Sequence, residues 1–275
     1  MIHQASFSTI FKRKEKQLLT NADHVITLTE TAKEIIQKWQ LTKMPSITVI
    51  PCCADTNHFK RENVKEDALQ NIRLNFGLDS TQIVLGYLGA IGTWYMLDEM
   101  LDFFKVLLKT NSSAKFLFVT NEASETILNS AAKRNIPVNT LIITSASRQE
   151  VPLFISLMSV SIFFIKPTFS KQASSPTKMA ELLSMGIPVI ANSGIGDSDR
   201  IIEKTDCGII CQEMNEASYA SAISTITSLL QKQKTDLRQV ALDYFSLKMG
   251  AERYSSVYKS LTNNFLDTDR IRINL

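Results

Sequence analysis

The stretch "SSPTKMAELLSMGIPVIAN", residues 174–192, runs a helical segment through Gly186 and Pro188 directly into an apolar strand. Ser174 and Ser175 suit the helix cap, Pro176 suits the first helical position, where a missing N–H leaves nothing unsatisfied, and Thr177 follows. Met179, Leu182 and Leu183 then fall at core spacing. One acid interrupts this pattern. Glu181 lies four residues after Thr177 and three after Lys178, which puts it on their face about one turn (roughly 5.4 Å) below the helix mouth. That mouth carries unpaired N–H groups and the positive end of the helix dipole, a setting for phosphate. A carboxylate one turn further in suits the ribose hydroxyls of the same nucleotide. A solvated Glu181 paired with Lys178 or Lys171 is the competing reading, and the stretch alone leaves both open.

Outward from this helix–strand unit, the pattern repeats. "QIVLGYLG" (82–89), "KFLFVT" (115–120), "TLIITS" (140–145), "VSIFFIKP" (160–167), "IPVIAN" (187–192) and "GIIC" (208–211) are short, nearly continuous apolar runs, as expected of strands covered on both faces. Between them lie "WYMLDEMLDFFKVLLKT", "EASETILNSAAKRN", "RQEVPLFISLM", the Glu181 helix and "DSDRIIEK". The alternation predicts an α/β fold, a Rossmann-like doubly wound parallel sheet of about six strands, with helices continuing beyond residue 212. Ligands of such sheets bind outside the carboxyl ends of the strands.

The first fifty residues differ. They read as helix, a lone strand "HVITL" (24–28) and helix, before "ITVIPCCADTNHF" (47–59) starts something new. A single strand makes no sheet, so residues 1–46 read as the end of a truncated N-terminal α/β domain, 47–245 as the main domain and 246–275 as a C-terminal helix and tail. An uncovered strand edge here would favour a partner chain.

Length and composition fit a soluble globular chain: 275 residues, 44% hydrophobic, 21% charged, net charge +3. That charge gives no reason to expect nucleic acid. No apolar run reaches the length of a bilayer span, and the N-terminal basic cluster "KRKEK" follows its short apolar piece, the reverse of a signal peptide. The expected compartment is the cytoplasm, with at most peripheral contact between "KRKEK" and anionic phospholipid; a solvated helix face is the simpler reading of that cluster. The four cysteines, Cys52, Cys53, Cys207 and Cys211, lack zinc-ribbon spacing and read as buried free thiols, so no metal is expected from them.

The loops supply the remaining candidates. Gly89 and Gly92 in "LGAIGTWY" follow a strand and precede a helix, where glycine lets backbone N–H groups approach an anion. Arg148 in "TSASRQE" is positioned to frame a nucleobase, or else is solvated beside a cap. Asp-x-Asp in "GDSDR" (196–200) invites a metal, but Asp197 or Ser198 is placed to cap the following helix. Trp94 and Tyr95 read as packing at the start of an amphipathic helix, and His3, His24 and His58 as lying outside the cleft.

Three pieces in order, "ADHVITLTETAKEII", "ITVIPCCADTNHF" and "SPTKMAELLSMGIPVIANSGIGD", resemble the retaining GT-B glycosyltransferases of family 4. Pro51, Asp55 and Phe59 stand in register with that family's interdomain segment vIPNGVDxxxF, and Glu181 matches the second Glu of its E-x7-E motif. The likeness spans about residues 10–262. It implies a site for a nucleotide-diphosphate sugar, with Glu181 on the ribose, and a hexosyltransferase acting on a glycan or glycolipid acceptor, as in cell-surface polysaccharide synthesis. No cofactor or metal is implied. The acceptor site in this family comes largely from the N-terminal domain, so an acceptor-domain polypeptide or a homo-oligomer is an expected partner. Two departures matter. Ala173 stands where the first Glu of the motif belongs, and "GAIGTWYM" lacks the Arg and Lys of GRxxxxKG. Lys171 or Lys178 would then supply the missing charge, with the mouth at Ser174, Ser175 and Thr177 and the Gly89–Gly92 loop holding the diphosphate. A non-catalytic or partner-dependent donor-binding module, a nucleotide-sugar epimerase of similar architecture and a plain interaction protein with a dead site are the alternatives.

Overall fold

The computed structural model describes the backbone of residues 2–272 and the side chains of residues 9–262. The predicted alternation is present. Six parallel strands, β3 (Val84–Leu88), β4 (Lys115–Val119), β5 (Leu141–Thr144), β6 (Val160–Phe163), β7 (Val189–Asn192) and β8 (Gly208–Cys211), form one sheet in the order β5-β4-β3-β6-β7-β8. β3, β4, β6 and β7 are buried along nearly their whole length. Their apolar runs were therefore legible as strands with helices on both faces.

The connecting helices are α3 (Glu66–Asn75), which precedes the sheet, then α4 (Leu97–Thr110), α5 (Ser124–Ala132), α6 (Val151–Ile155), α7 (Thr177–Ser184) and α8 (Ser198–Thr205). α4 shows why they form: Met100, Leu101, Phe103, Phe104 and Leu107 make a buried stripe, while Asp98 and Glu99 in its first turn and Lys109 in its last complement the dipole. α9 (Glu216–Ser224), α10 (Ile226–Leu230), α11 (Lys234–Phe245) and α12 (Leu247–Arg272) complete the chain.

The N-terminal region is corrected in one respect. After α1 (Ile2–Asn21), strand β1 (His24–Thr27) is not alone: across α2 (Glu30–Gln37) it pairs in parallel with β2 (Ser46–Val49), residue for residue from His24–Ser46 to Thr27–Val49. His24 Nε2 and Thr48 Oγ1 lie 2.9 Å apart across this pair. The small sheet is tied to the rest at and beyond the C-terminal end of β2. Ala54 bridges Ser246 in parallel, its N–H donating to Phe245 and its carbonyl accepting from Leu247, and Arg253 Nη1 on α12 donates to the Val49 carbonyl. Among the described residues no helix is long and apolar enough to cross a membrane.

The order of strands creates one switch point. The chain leaves β3 toward β4 and β5, then returns to β6 on β3's other side, so the loops after β3 and β6 emerge next to each other and lead to different parts of the sheet. The carboxyl ends of the strands at such a switch point are where these sheets take ligands.

Candidate functional site

Both loops at the switch point bear candidate residues, and hydrogen bonds hold them side by side. Met96 N–H donates to Phe164 O (3.0 Å), Lys166 N–H donates to Trp94 O (2.9 Å), and Tyr95 pairs antiparallel with Ile165. α4 begins only at Leu97, so Trp94 and Tyr95 belong to the loop and not to a helix start. Tyr95 packs against the core, whereas Trp94 remains 47% exposed.

α7 starts at Thr177, with Pro176 as its cap residue and no side-chain capping bond. This corrects the expectation for Ser174 and Ser175. Ser175 Oγ accepts the Cys52 N–H at 3.1 Å, and both serines line a cavity of about 310 Å³ shared with Leu28, Thr29 and Tyr244. The helix mouth itself persists: the N–H groups of Thr177 and Lys178 have no partner within α7.

Lys178 is the most deeply buried cation among the described residues. It is 9% exposed, with Nζ 3.8 Å from the Tyr95 ring centroid, 4.3 Å from that of Tyr87, and 3.3 Å from the Tyr87 hydroxyl oxygen, to which it donates. Gly89 faces it. With φ +110°, Gly89 adopts backbone that side chains rarely tolerate, and a Cβ there would stand 3.4 Å from Lys178 Nζ. Burial lowers the Lys178 pKa from 10.5 to about 7, against a smaller raising effect of Glu181. Gly92, further along the loop, has open space around it. Beside Gly89 a cavity of about 280 Å³ opens over the ends of β3, β4 and β5, lined among others by Ala90, Thr120, Asn121, Glu122 and Ala146.

Glu181 is 6% exposed, which removes the solvated reading. Its partner is neither Lys178 nor Lys171. Arg148 Nη1, from the loop after β5, donates to Glu181 Oε1 at 2.5 Å. The Arg148 guanidinium also lies 4.6 Å over the Phe59 ring, and its carbonyl oxygen is 3.0 Å from His58 Nε2. The segment with Asp55, His58 and Phe59 thus braces the candidate site, so His58 is not remote from it as expected. His24 sits in the small N-terminal sheet, and the His3 side chain lies outside the described residues. Lys171 extends over Trp94, Nζ 4.3 Å from the ring centroid. Ala173 is exposed and brings no carboxylate to its position.

Asp197 does not cap its own helix. Its carboxylate accepts from the N–H groups of Glu30 (2.6 Å) and Thr31 (3.0 Å) and from Thr31 Oγ1 (2.8 Å), so it caps α2 from across the molecule. Gly196 makes this docking possible: at φ +51°, a Cβ there would meet the Ser174 carbonyl oxygen at 2.0 Å. Asp199 accepts the Gly194 N–H, and the buried Ser198 Oγ has no partner among the described residues. Among the described residues no cluster of three or more His, Cys, Asp or Glu is arranged to hold a metal ion. All four cysteines are free; Cys207 and Cys211 are buried as expected, and Cys52 and Cys53 are only half-buried.

No curated protein matches the chain. Solved structures do. Sucrose-phosphate synthase from Thermosynechococcus elongatus superposes with a TM-score of 0.73 at 16% identity, covering 91% of this chain and 61% of that one. A glycosyltransferase from Rickettsia africae ESF-5 gives 0.71 at 16% identity, over 90% and 67% of the two chains. Anabaena HepE in complex with UDP and glucose gives 0.68 at 15% identity, over 88% and 64%. At such identities the likeness establishes the fold, and the chain spans roughly 61–67% of the length of these three structures. A model of the family described as glycosyl transferases group 1 matches residues 70–241. With more than half of its length matched, the chain belongs to the glycosyl transferases group 1 family.

Proposed function

We propose that the chain is the donor-binding part of a glycosyltransferase of the hexosyltransferase type, which takes a nucleotide-diphosphate sugar and passes the sugar to a glycan or glycolipid acceptor. The observation that carries this reading is the pair Lys178 and Glu181, an amine and a carboxylate buried within one turn of α7 at the sheet's switch point. Ionisable groups perturbed by burial cluster at functional sites. The structure of Anabaena HepE with UDP and glucose lends support.

In this reading the diphosphate lies between the α7 mouth and the Gly89–Gly92 loop. Lys178 replaces the Arg and Lys that the loop lacks. Departure of the nucleoside diphosphate requires its growing charge to be stabilised, and a fixed ammonium with aligned backbone N–H groups does so without covalent chemistry or a metal. Glu181 accepts the ribose hydroxyls. A carboxylate offers about four lone-pair directions, so Arg148 can hold Oε1 while Oε2 serves the ribose, and the cavity over β3, β4 and β5 takes the base. In this reading the transfer takes place in the cytoplasm.

A thermal-shift screen with UDP, GDP and ADP, each with and without EDTA, tests the assignment. At least one nucleotide raises Tm, and the chelator leaves that rise unchanged. No shift with any of the three would refute the donor site, and a shift abolished by EDTA would refute the metal-free binding.

A further inference from the structure

The amino ends of β3, β6 and β7 enclose a second cavity, of about 260 Å³. Gln82, Ser159 and Pro188 in its wall stand just ahead of those three strands. In a parallel sheet this end is opposite the donor site, separated from it by the length of a strand, about 15 Å. None of Gly89, Gly92, Arg148, Lys178 and Glu181 lines it.

Three cations line this cavity, Arg73 from α3, Lys232 and Lys234, and no acid does. The acids nearby are engaged: Asp206 pairs with Lys232, and Glu66 with Arg61 at 2.6 Å. Arg73 and Lys234 make no ion pair with a carboxylate among the described residues. Two positive charges are therefore left over. Lys234 registers the imbalance, since desolvation and then repulsion from Arg61 and Arg73 hold its pKa below the ordinary lysine value, against a smaller raising effect of Glu66. The start of α11 adds the same sign. That helix begins at Lys234 with no side-chain capping bond from Gln233, so the positive end of its dipole lies at the cavity wall.

The wall also presents neutral donors. Ser159 Oγ accepts the Val84 N–H (3.1 Å) and Gln82 Oε1 accepts that of Asp79 (3.0 Å), which leaves the serine O–H and the glutamine NH2 to donate. The volume is enough for a ligand of roughly ten heavy atoms, at about 30 Å³ for each water-sized group.

We propose that this cavity is a second ligand site, which takes a small phosphate monoester with hydroxyl groups on its body. Arg73 and Lys234 hold the phosphate, and Gln82 and Ser159 hold the hydroxyls. A phosphate monoester carries about −1.5 to −2 charges at pH 7, which the two unpaired cations balance. The site is separate from the donor site and does not depend on the reading of that site.

Calorimetric titration of glycerol 3-phosphate, inorganic phosphate and glycerol into the unaltered chain tests this. Glycerol 3-phosphate binds saturably and at least tenfold more tightly than inorganic phosphate or glycerol. Lys234→Met and Arg73→Met each weaken it at least tenfold, while Lys178→Met leaves its affinity within twofold. Absence of saturable glycerol 3-phosphate binding overturns the proposal. Inorganic phosphate or glycerol binding as tightly overturns it too, since the cavity would then not recognise phosphate and body together. So does affinity that is lost in Lys178→Met and kept in Lys234→Met and Arg73→Met, because the phosphate would then sit in the donor site. Failure of UDP, GDP and ADP to bind refutes the donor reading alone, a result separate from these titrations.

Discussion

At the scale of single residues, Lys178 sets the pH behaviour. Its folded pKa of about 7 lies below the ordinary 10.5 because burial disfavours the charged form. Below pH 7 the folded chain carries this ammonium against its burial, and between 7 and 10.5 the unfolded state binds more protons, so this group's contribution to stability rises with pH across that window. Lys178→Met abolishes the rise, and urea titrations of both proteins from pH 6 to 9 measure the difference. Nucleotide binding has the opposite slope. The anion selects protonated Lys178, so affinity falls above pH 7 by up to about tenfold per unit. Arg148 gives a second test: Arg148→Ala leaves the buried Glu181 carboxylate without its partner and destabilises by about 1–3 kcal/mol, readable in the same titrations. Glu181 itself was legible from spacing, because four residues fix a face on a helix. Its pairing with Arg148 was not, since residues 33 apart on separate elements meet only once the sheet has set its order.

At the scale of elements, α7 shows how far local rules reach. Its span and apolar face followed from the sequence, but the assignment of its cap did not. Ser-Ser-Pro has the chemistry of a cap, yet the segment before Pro176 is extended after the 3-10 turn at Phe169–Ala173, and Ser175 serves the Cys52 N–H. The Asp197 carboxylate likewise went to the start of α2, where three donors converge, and not to its own helix. Such long-range capping has no signature in sequence. It predicts that Asp197→Ala loosens the N-terminal sheet from the main domain at a cost of about 1–2 kcal/mol. Hydrogen exchange reports it as faster exchange at Glu30 and Thr31, with β6 and β7 unaffected.

At the scale of the whole molecule, the six central strands were legible because burial on both faces makes them continuous apolar runs. The β1–β2 pair was not: "SITV" is only partly buried and lies well past β1 in the chain, across α2. The sheet order decides where chemistry can occur, since it sets the loops after β3 and β6 side by side and brings Gly89 against Lys178, one turn from Glu181. Calorimetric titration of the nucleoside diphosphate that binds, into the unaltered chain, Lys178→Met and Glu181→Ala at pH 6.5, is the most direct measure of that claim. The account predicts saturable binding weakened by about 10–100-fold in each variant, the range for losing one hydrogen bond to a charged group. Undiminished affinity in both variants would contradict it.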